Sequence, residues 1–76
     1  MNLLTKMETG HEAVIRDLNG GKRFVSRASA MGFTPKTPIV MLQNTGKGPL
    51  LVYLRDTQVA IGRSEAKKIE ITGSEA

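Results

Sequence analysis

The sequence predicts a mainly β fold: a small antiparallel barrel of five short strands with one short helix between strands 1 and 2. Three observations predict it. The chain has 76 residues, room for one domain spanning 1–76 with 73–76 as a frayed tail. Five short apolar or alternating segments are punctuated by Gly, Pro, Asn and Asp. Only one segment has the spacing of a full helix, so the crossover helices of a doubly wound sheet are missing. A strongly bent antiparallel barrel suits such strands, because closure removes exposed edges.

Each element follows from its residues. Leu4 and Met7 sit three apart, as on one helical turn that Thr5 would cap and Gly10 would break. Ala13, Ile15 and Leu18 fit the inner side of a first strand near Glu12 to Leu18, and Asn19-Gly20-Gly21 signals a turn. Phe24, Ala28 and Met31 then fall at i, i+4 and i+7 and define a helix from Lys22. Gly32 suits the left-handed residue that ends it, and Pro35 forbids its continuation. Thr37 to Gln43 reads as the second strand, Asn44 to Gly48 as a hairpin loop and Pro49 to Arg55 as the third strand. Asp56-Thr57 is expected as a tight turn before a fourth strand, Gln58 to Ile61. Arg63 to Ala66 gives one helical turn, and Lys68 to Thr72 alternates as a short fifth strand.

Composition narrows the function. There is no cysteine, so neither a disulfide framework nor a thiolate metal site braces the chain. The longest apolar run is Leu50 to Leu54, far short of the roughly 20 residues of a membrane-spanning helix. The N-terminus lacks the regions of a signal peptide, and a cytoplasmic location with no membrane insertion is expected. The formal charge is +4. Lys22, Arg23 and Arg27 form a basic patch that would suit nucleic acid or an acidic surface, or serve as a solvated face. Single-strand binders want aromatics along a basic groove, and of Phe24, Phe33 and Tyr53 only Tyr53 is placed for stacking.

The ordered features resemble the FeoA family of small bacterial ferrous-iron transport accessory proteins over nearly the whole chain. They are Leu4 and Met7 before Gly10, Ala13 and Ile15, Gly20-Gly21, Met31-Gly32-Phe33-Thr34-Pro35, Gly48-Pro49, and Asp56 through Ala66-Lys67-Lys68-Ile69. The same module resembles the C-terminal domain of metalloregulators of the diphtheria-toxin-repressor type. The resemblance implies an SH3-like barrel and an accessory role beside a large membrane ferrous-iron transporter with a cytoplasmic GTPase domain. Two positions depart from the family pattern. Lys36 stands where glycine is usual, which puts a tight turn there in question, and Ala28 replaces a larger apolar residue, which predicts looser helix packing.

Catalysis by the chain alone is not expected. His11 is the single histidine, and with Glu12 it falls short of the convergent ligands that a transition metal needs. Gly20-Gly21-Lys22-Arg23 and Gly46-Lys47-Gly48 lack the upstream glycine and the Ser or Thr of a phosphate loop. Ser26, Ser29, Ser64 and Ser74 have no credible histidine base. Arg55 or Arg63 would suit an arginine finger for a partner GTPase, although a solvated or ion-paired role is the default for either. No cofactor is expected.

The informative surplus is apolar. The strands at 37–43 and 49–55 are apolar at nearly every position, not at alternate ones. The resemblance places Ile39, Met41, Leu50, Val52, Leu54, Val59 and Ile61 inward. Alternation then leaves Val40, Leu42, Leu51 and Tyr53 on the outside of neighbouring strands. Such a patch usually has a use, and tyrosine is favoured as an interface anchor. Three covers are open to it: the N-terminal turn with Leu3 or Leu4 or the helix bearing Phe24, a second copy meeting it through the 39–55 hairpin, or a different protein.

The leading expectation is a non-enzymatic accessory module that binds and modulates the cytoplasmic domain of a membrane ferrous-iron transporter. A small nucleic-acid-binding barrel, motivated by Lys22, Arg23 and Arg27, is the rival from another class. A stand-alone peptide-binding relative of the metalloregulator domain is a third reading, weakened by the single tyrosine.

Overall fold

The computed structural model, which describes residues 2–72, contains one antiparallel sheet of six strands. In chain order they are β1 (Asn2–Leu3), β2 (Glu12–Leu18), β3 (Pro38–Gln43), β4 (Leu50–Leu54), β5 (Thr57–Ile61) and β6 (Ile69–Thr72). A 3-10 turn at Leu4–Lys6, helix α1 (Lys22–Ala30) and the one-turn helix α2 (Arg63–Ala66) join them. The spatial order is β1-β6-β2-β3-β4-β5. All five expected strands are present, and α1 connects β2 to β3 as expected. Asn2–Leu3 adds a sixth strand by pairing with Ile71 and Glu70 of β6. Two residues carry no readable period, so the sequence left no signal for it. The expected tail at 73–76 lies outside the described residues. Among the described residues the hydrogen-bonded ladder does not close: β1 and β5 are its edges.

Local chemistry explains the boundaries. Met31-Gly32-Phe33 closes α1 as a Schellman motif. The Phe33 N–H donates to the Ala28 carbonyl at 2.9 Å and the Gly32 N–H to that of Ser29 at 3.0 Å, with Gly32 at φ 105°. Two expectations shift. The 3-10 turn starts after Leu3 with no side-chain cap, so Thr5 lies inside the turn instead of capping it. The β4–β5 turn is Arg55-Asp56, not Asp56-Thr57: Leu54 pairs with Thr57, and Arg55 and Asp56 take φ of 51° and 64°. Two consecutive positive φ angles are what a type I′ hairpin requires, but neither residue is the glycine or asparagine that usually announces it.

Lys36 holds a glycine-like conformation with lysine. Its φ is 75°. Its N–H donates to the Ile15 carbonyl at 2.7 Å, and the Ile15 N–H donates to Thr37 at 2.9 Å, so β2–β3 pairing pins the strained residue in place. A left-handed non-glycine residue costs roughly 1–2 kcal/mol, and glycine returns roughly 0.5–1 kcal/mol of that as unfolded-chain entropy. Lys36→Gly is therefore expected to stabilise the fold by about 0.5–1 kcal/mol, measured as a higher urea midpoint at unchanged slope.

The core is the concave side of the sheet. Ala13 and Ile15, Ile39 and Met41, Leu50, Val52 and Leu54, Ile61, and Ile69 and Ile71 all bury there. Leu4, Met7, Phe24, Ala28, Phe33 and Ala66 fill it from the connections. The strand residues assigned inward all behave so, with Val59 only partly buried against the cluster. Glu70 departs from the clean alternation of β6. It is buried beside Ile69 and Ile71, and its carboxylate accepts from the Asn19 amide.

Candidate docking face

Strand pairing fixes which outward residues meet. Val40 of β3 lies directly opposite Tyr53 of β4, and the same row continues to Glu12 of β2 and Gln58 of β5. A second row joins Gln43, Leu51 and Ala60. The register of β3 against β4 slips between Met41 and Gln43, so Leu42 is the extra residue of a bulge. On β2, Val14 sits opposite Pro38 and is 36% exposed. Tyr53 is 40% exposed, while Val40, Leu42 and Leu51 are half-buried. The four residues singled out by alternation thus lie on two neighbouring strands, with Val40 and Tyr53 in direct register.

The residues weighed as an intramolecular cover for this face are engaged elsewhere. Leu4 and Phe24 are buried in the core cluster, and Leu3 is engaged in β1. Beside Tyr53 a groove of about 320 Å³ is lined by Thr37, Pro38, Val40, Leu54, Arg55 and Asp56. Its floor is apolar. The Tyr53 hydroxyl donates to Asp56 Oδ1 at 3.3 Å, which turns the ring's polar tip toward the hairpin turn. An aromatic body with a wet polar tip is the form interface tyrosines take.

The basic residues are on a different element. Lys22, Arg23 and Arg27 are all exposed on α1. Arg27 pairs with Glu65 and so ties α1 to α2. The Lys68 ammonium stands 5.2 Å from the Phe24 ring centroid, a cation–π contact. Lys22 and Arg23 remain solvent-facing, and no aromatic side chain of the docking face accompanies them. Among the described residues no group of three or more His, Cys, Asp or Glu side chains is placed to hold a metal. The His11 Nε2 stands 3.8 Å from the Glu8 carboxylate at the surface.

Arg63 is occupied by structure. It donates through Nη2 to Asn44 Oδ1, and its buried Nε has no partner among the described residues. Asn44 is a hub that sequence reasoning left inside a loop. Its amide donates to the carbonyls of Thr5 at 3.1 Å and Met7 at 2.8 Å, and its N–H donates to Thr9 Oγ1 at 2.9 Å. Its Oδ1 also accepts from the Gly46 N–H at 3.1 Å, an Asx turn. Only that last bond is local enough to read from Asn-x-Gly. The others join residues 19 to 39 apart in sequence. Asn44→Ala strands two part-buried carbonyls and an arginine, and is expected to cost about 1–3 kcal/mol. That corresponds to a fall in melting temperature of roughly 5–20 °C for a domain of this size.

The fold defines the class, a small SH3-like module whose outer hairpin is partly apolar. The model of the FeoA domain matches residues 2–73. The chain therefore belongs to the FeoA family.

Solved structures agree on the fold. An iron uptake regulatory protein, FeoA, superposes with TM-score 0.88 at 24% identity, covering 92% of this chain and 93% of that one. FeoA of Stenotrophomonas maltophilia, complexed with zinc, superposes at 0.77 with 26% identity and coverages of 93% and 89%. It is described as a prokaryotic SH3 domain protein and a candidate activating factor for ferrous iron transport. A manganese-dependent transcriptional repressor matches at TM-score 0.84 with 14% identity, and this chain spans 40% of that one. No functionally curated protein matches the chain. No described helix is long and apolar enough to cross a membrane.

Proposed function

We propose that this protein is a non-enzymatic cytoplasmic accessory module that binds the GTPase-bearing cytoplasmic domain of a membrane ferrous-iron transporter and modulates uptake. It docks through Val40, Leu42, Leu51 and Tyr53. The observation that carries this reading is the Val40–Tyr53 pair in a FeoA-family chain. These are two apolar side chains in direct register, on the convex side of a sheet whose concave side already supplies the core. Burying each such side chain against a partner is worth roughly 1.5–3 kcal/mol. The modulation is mechanical. An accessory chain with no nucleophile, metal cluster or phosphate loop among its described residues changes a GTPase by favouring one of its conformations, and it does so only as far as it binds that conformation more tightly.

A pull-down of the transporter's cytoplasmic domain, with and without guanine nucleotide, tests the reading. Retention that differs between nucleotide states is expected. No retention in any state would overturn it. The rival role for Lys22 and Arg23 makes a different prediction, namely nucleic-acid binding that falls steeply as salt rises.

A further inference from the structure

The free edge of the sheet at β5 is unusually unprotected. The loop between β4 and β5 has two residues, so Leu54 and Thr57, which flank it, are a hydrogen-bonded pair, and the pattern alternates from there. Val52–Val59 and Leu50–Ile61 are then hydrogen-bonded pairs, whereas Tyr53–Gln58 and Leu51–Ala60 are not. It follows that the N–H and C=O groups of Gln58 and Ala60 point away from β4, along the open edge. Among the described residues no backbone hydrogen bond reaches either from outside the ladder. Both residues are exposed.

Edge strands of monomers are normally blunted by a charge, a proline, a bulge or brevity. The other edge, β1, is two residues long. In contrast β5 is Thr57-Gln58-Val59-Ala60-Ile61: five residues with no charge and no proline, paired to β4 without a register shift. Val59 is only partly buried, so the core is also thin where the edge is open.

We propose that β5 is a self-pairing edge, through which two copies join antiparallel about a two-fold axis at Val59. The geometry is self-complementary. With Val59 opposite Val59, Gln58 of each copy faces Ala60 of the other, and these are the residues whose backbone groups are free. Each Gln58–Ala60 pair exchanges two hydrogen bonds, so the four free donors and four free acceptors are all used. Thr57 falls opposite Ile61, and no charge opposes a like charge within the strand. The non-hydrogen-bonded Val59 pair at the axis brings the two half-buried side chains to the close cross-strand spacing that valines favour.

The pairing also extends the docking face. A two-fold axis normal to the sheet keeps both convex sides on one surface. The row Val40–Tyr53–Gln58 of one copy runs on into Ala60 and Leu51 of the second copy, and the reverse row does the same. Two Tyr53 patches then share one continuous surface, with the two β4 strands separated by about 14 Å at normal strand spacing. This proposal does not depend on the identity of the transporter, and it places self-association at 57–61, not at the 39–55 hairpin.

Amide hydrogen exchange by NMR on the full chain, run from tens of micromolar to millimolar alongside sedimentation velocity, tests it. Exchange at Gln58 and Ala60 is expected to slow by about tenfold as nine-tenths of the chain becomes dimer, while Val59 and Ile61 stay protected throughout. Ala60→Pro removes a free N–H but no ladder N–H, since proline is tolerated on the open side of an edge strand. It is expected to remain a folded monomer at every concentration. Val59→Lys places a charge at the axis and is the second variant, should Ala60→Pro fail to fold. Exchange at Gln58 and Ala60 that ignores concentration, whether fast or slow, overturns the proposal. So does a dimer that survives in folded Ala60→Pro or is broken only by Tyr53→Lys.

Discussion

Phe33→Ala is expected to remove about 3–5 kcal/mol of stability, the largest loss of any single truncation in this chain. Phe33 is fully buried, and it sits where the end of α1 meets the sheet. Its backbone N–H closes the Schellman motif and survives the substitution, so the loss isolates the ring: its transfer from water plus the cavity left in the core cluster. A domain of this length has a total stability of about 4–11 kcal/mol at 0.05–0.15 kcal/mol per residue. The variant should therefore populate unfolded chain at room temperature or lie close to doing so. Urea unfolding measures it, with a midpoint that falls at unchanged slope. Phe33→Leu, which keeps most of the volume, should cost under about 1.5 kcal/mol. Equal losses for both variants would show that the packing at this corner does not depend on the ring.

Tyr53→Lys should have the opposite profile, with little change in stability and a large change in binding. Tyr53 is 40% exposed and its one side-chain hydrogen bond is a long one, at 3.3 Å to Asp56. A substitution at such a site usually stays within about 0.5 kcal/mol of neutral. At the interface, the change removes an aromatic anchor and buries an unpaired ammonium against Val40. Loss of a hot-spot residue costs about 2 kcal/mol or more, which is roughly 30-fold in dissociation constant. Arg23→Glu on α1 is the control. It reverses a charge on the basic patch and should leave transporter binding nearly unchanged, apart from a modest slowing of association.

Most of the fold could be read because its signals are local. Phe24, Ala28 and Met31 set a helical period, Gly32 and Pro35 set its stop, and the apolar runs at 39–42 and 50–54 set the hairpin. A period of two set Val40, Leu51 and Tyr53 on one side of that hairpin, whereas Leu42 falls in a bulge where the period breaks. What could not be read depends on contacts distant in sequence. Asn2–Leu3 is a strand only because β6 offers it an edge, and Asn44 is a hub only because Thr5, Met7 and Arg63 arrive beside it. The Arg55-Asp56 turn failed for a different reason: both residues take positive φ where glycine and asparagine are the usual markers. Lys36 is the same case. The departure from the family's glycine put the turn in question, yet the turn is kept, because β2–β3 hydrogen bonds on both sides of it hold the lysine in place. The candidate face was legible as a set of residues, but its rows, bulge and groove needed the register.

The measurement that tests the central claim most directly is a calorimetric titration of the transporter's purified cytoplasmic GTPase domain with native protein and with Tyr53→Lys, after both are shown to melt at the same temperature. Saturable binding by the native chain, weakened about 30-fold or more by the substitution, is the predicted result. Equal affinity for the two proteins would contradict it and move the docking surface away from the outer hairpin.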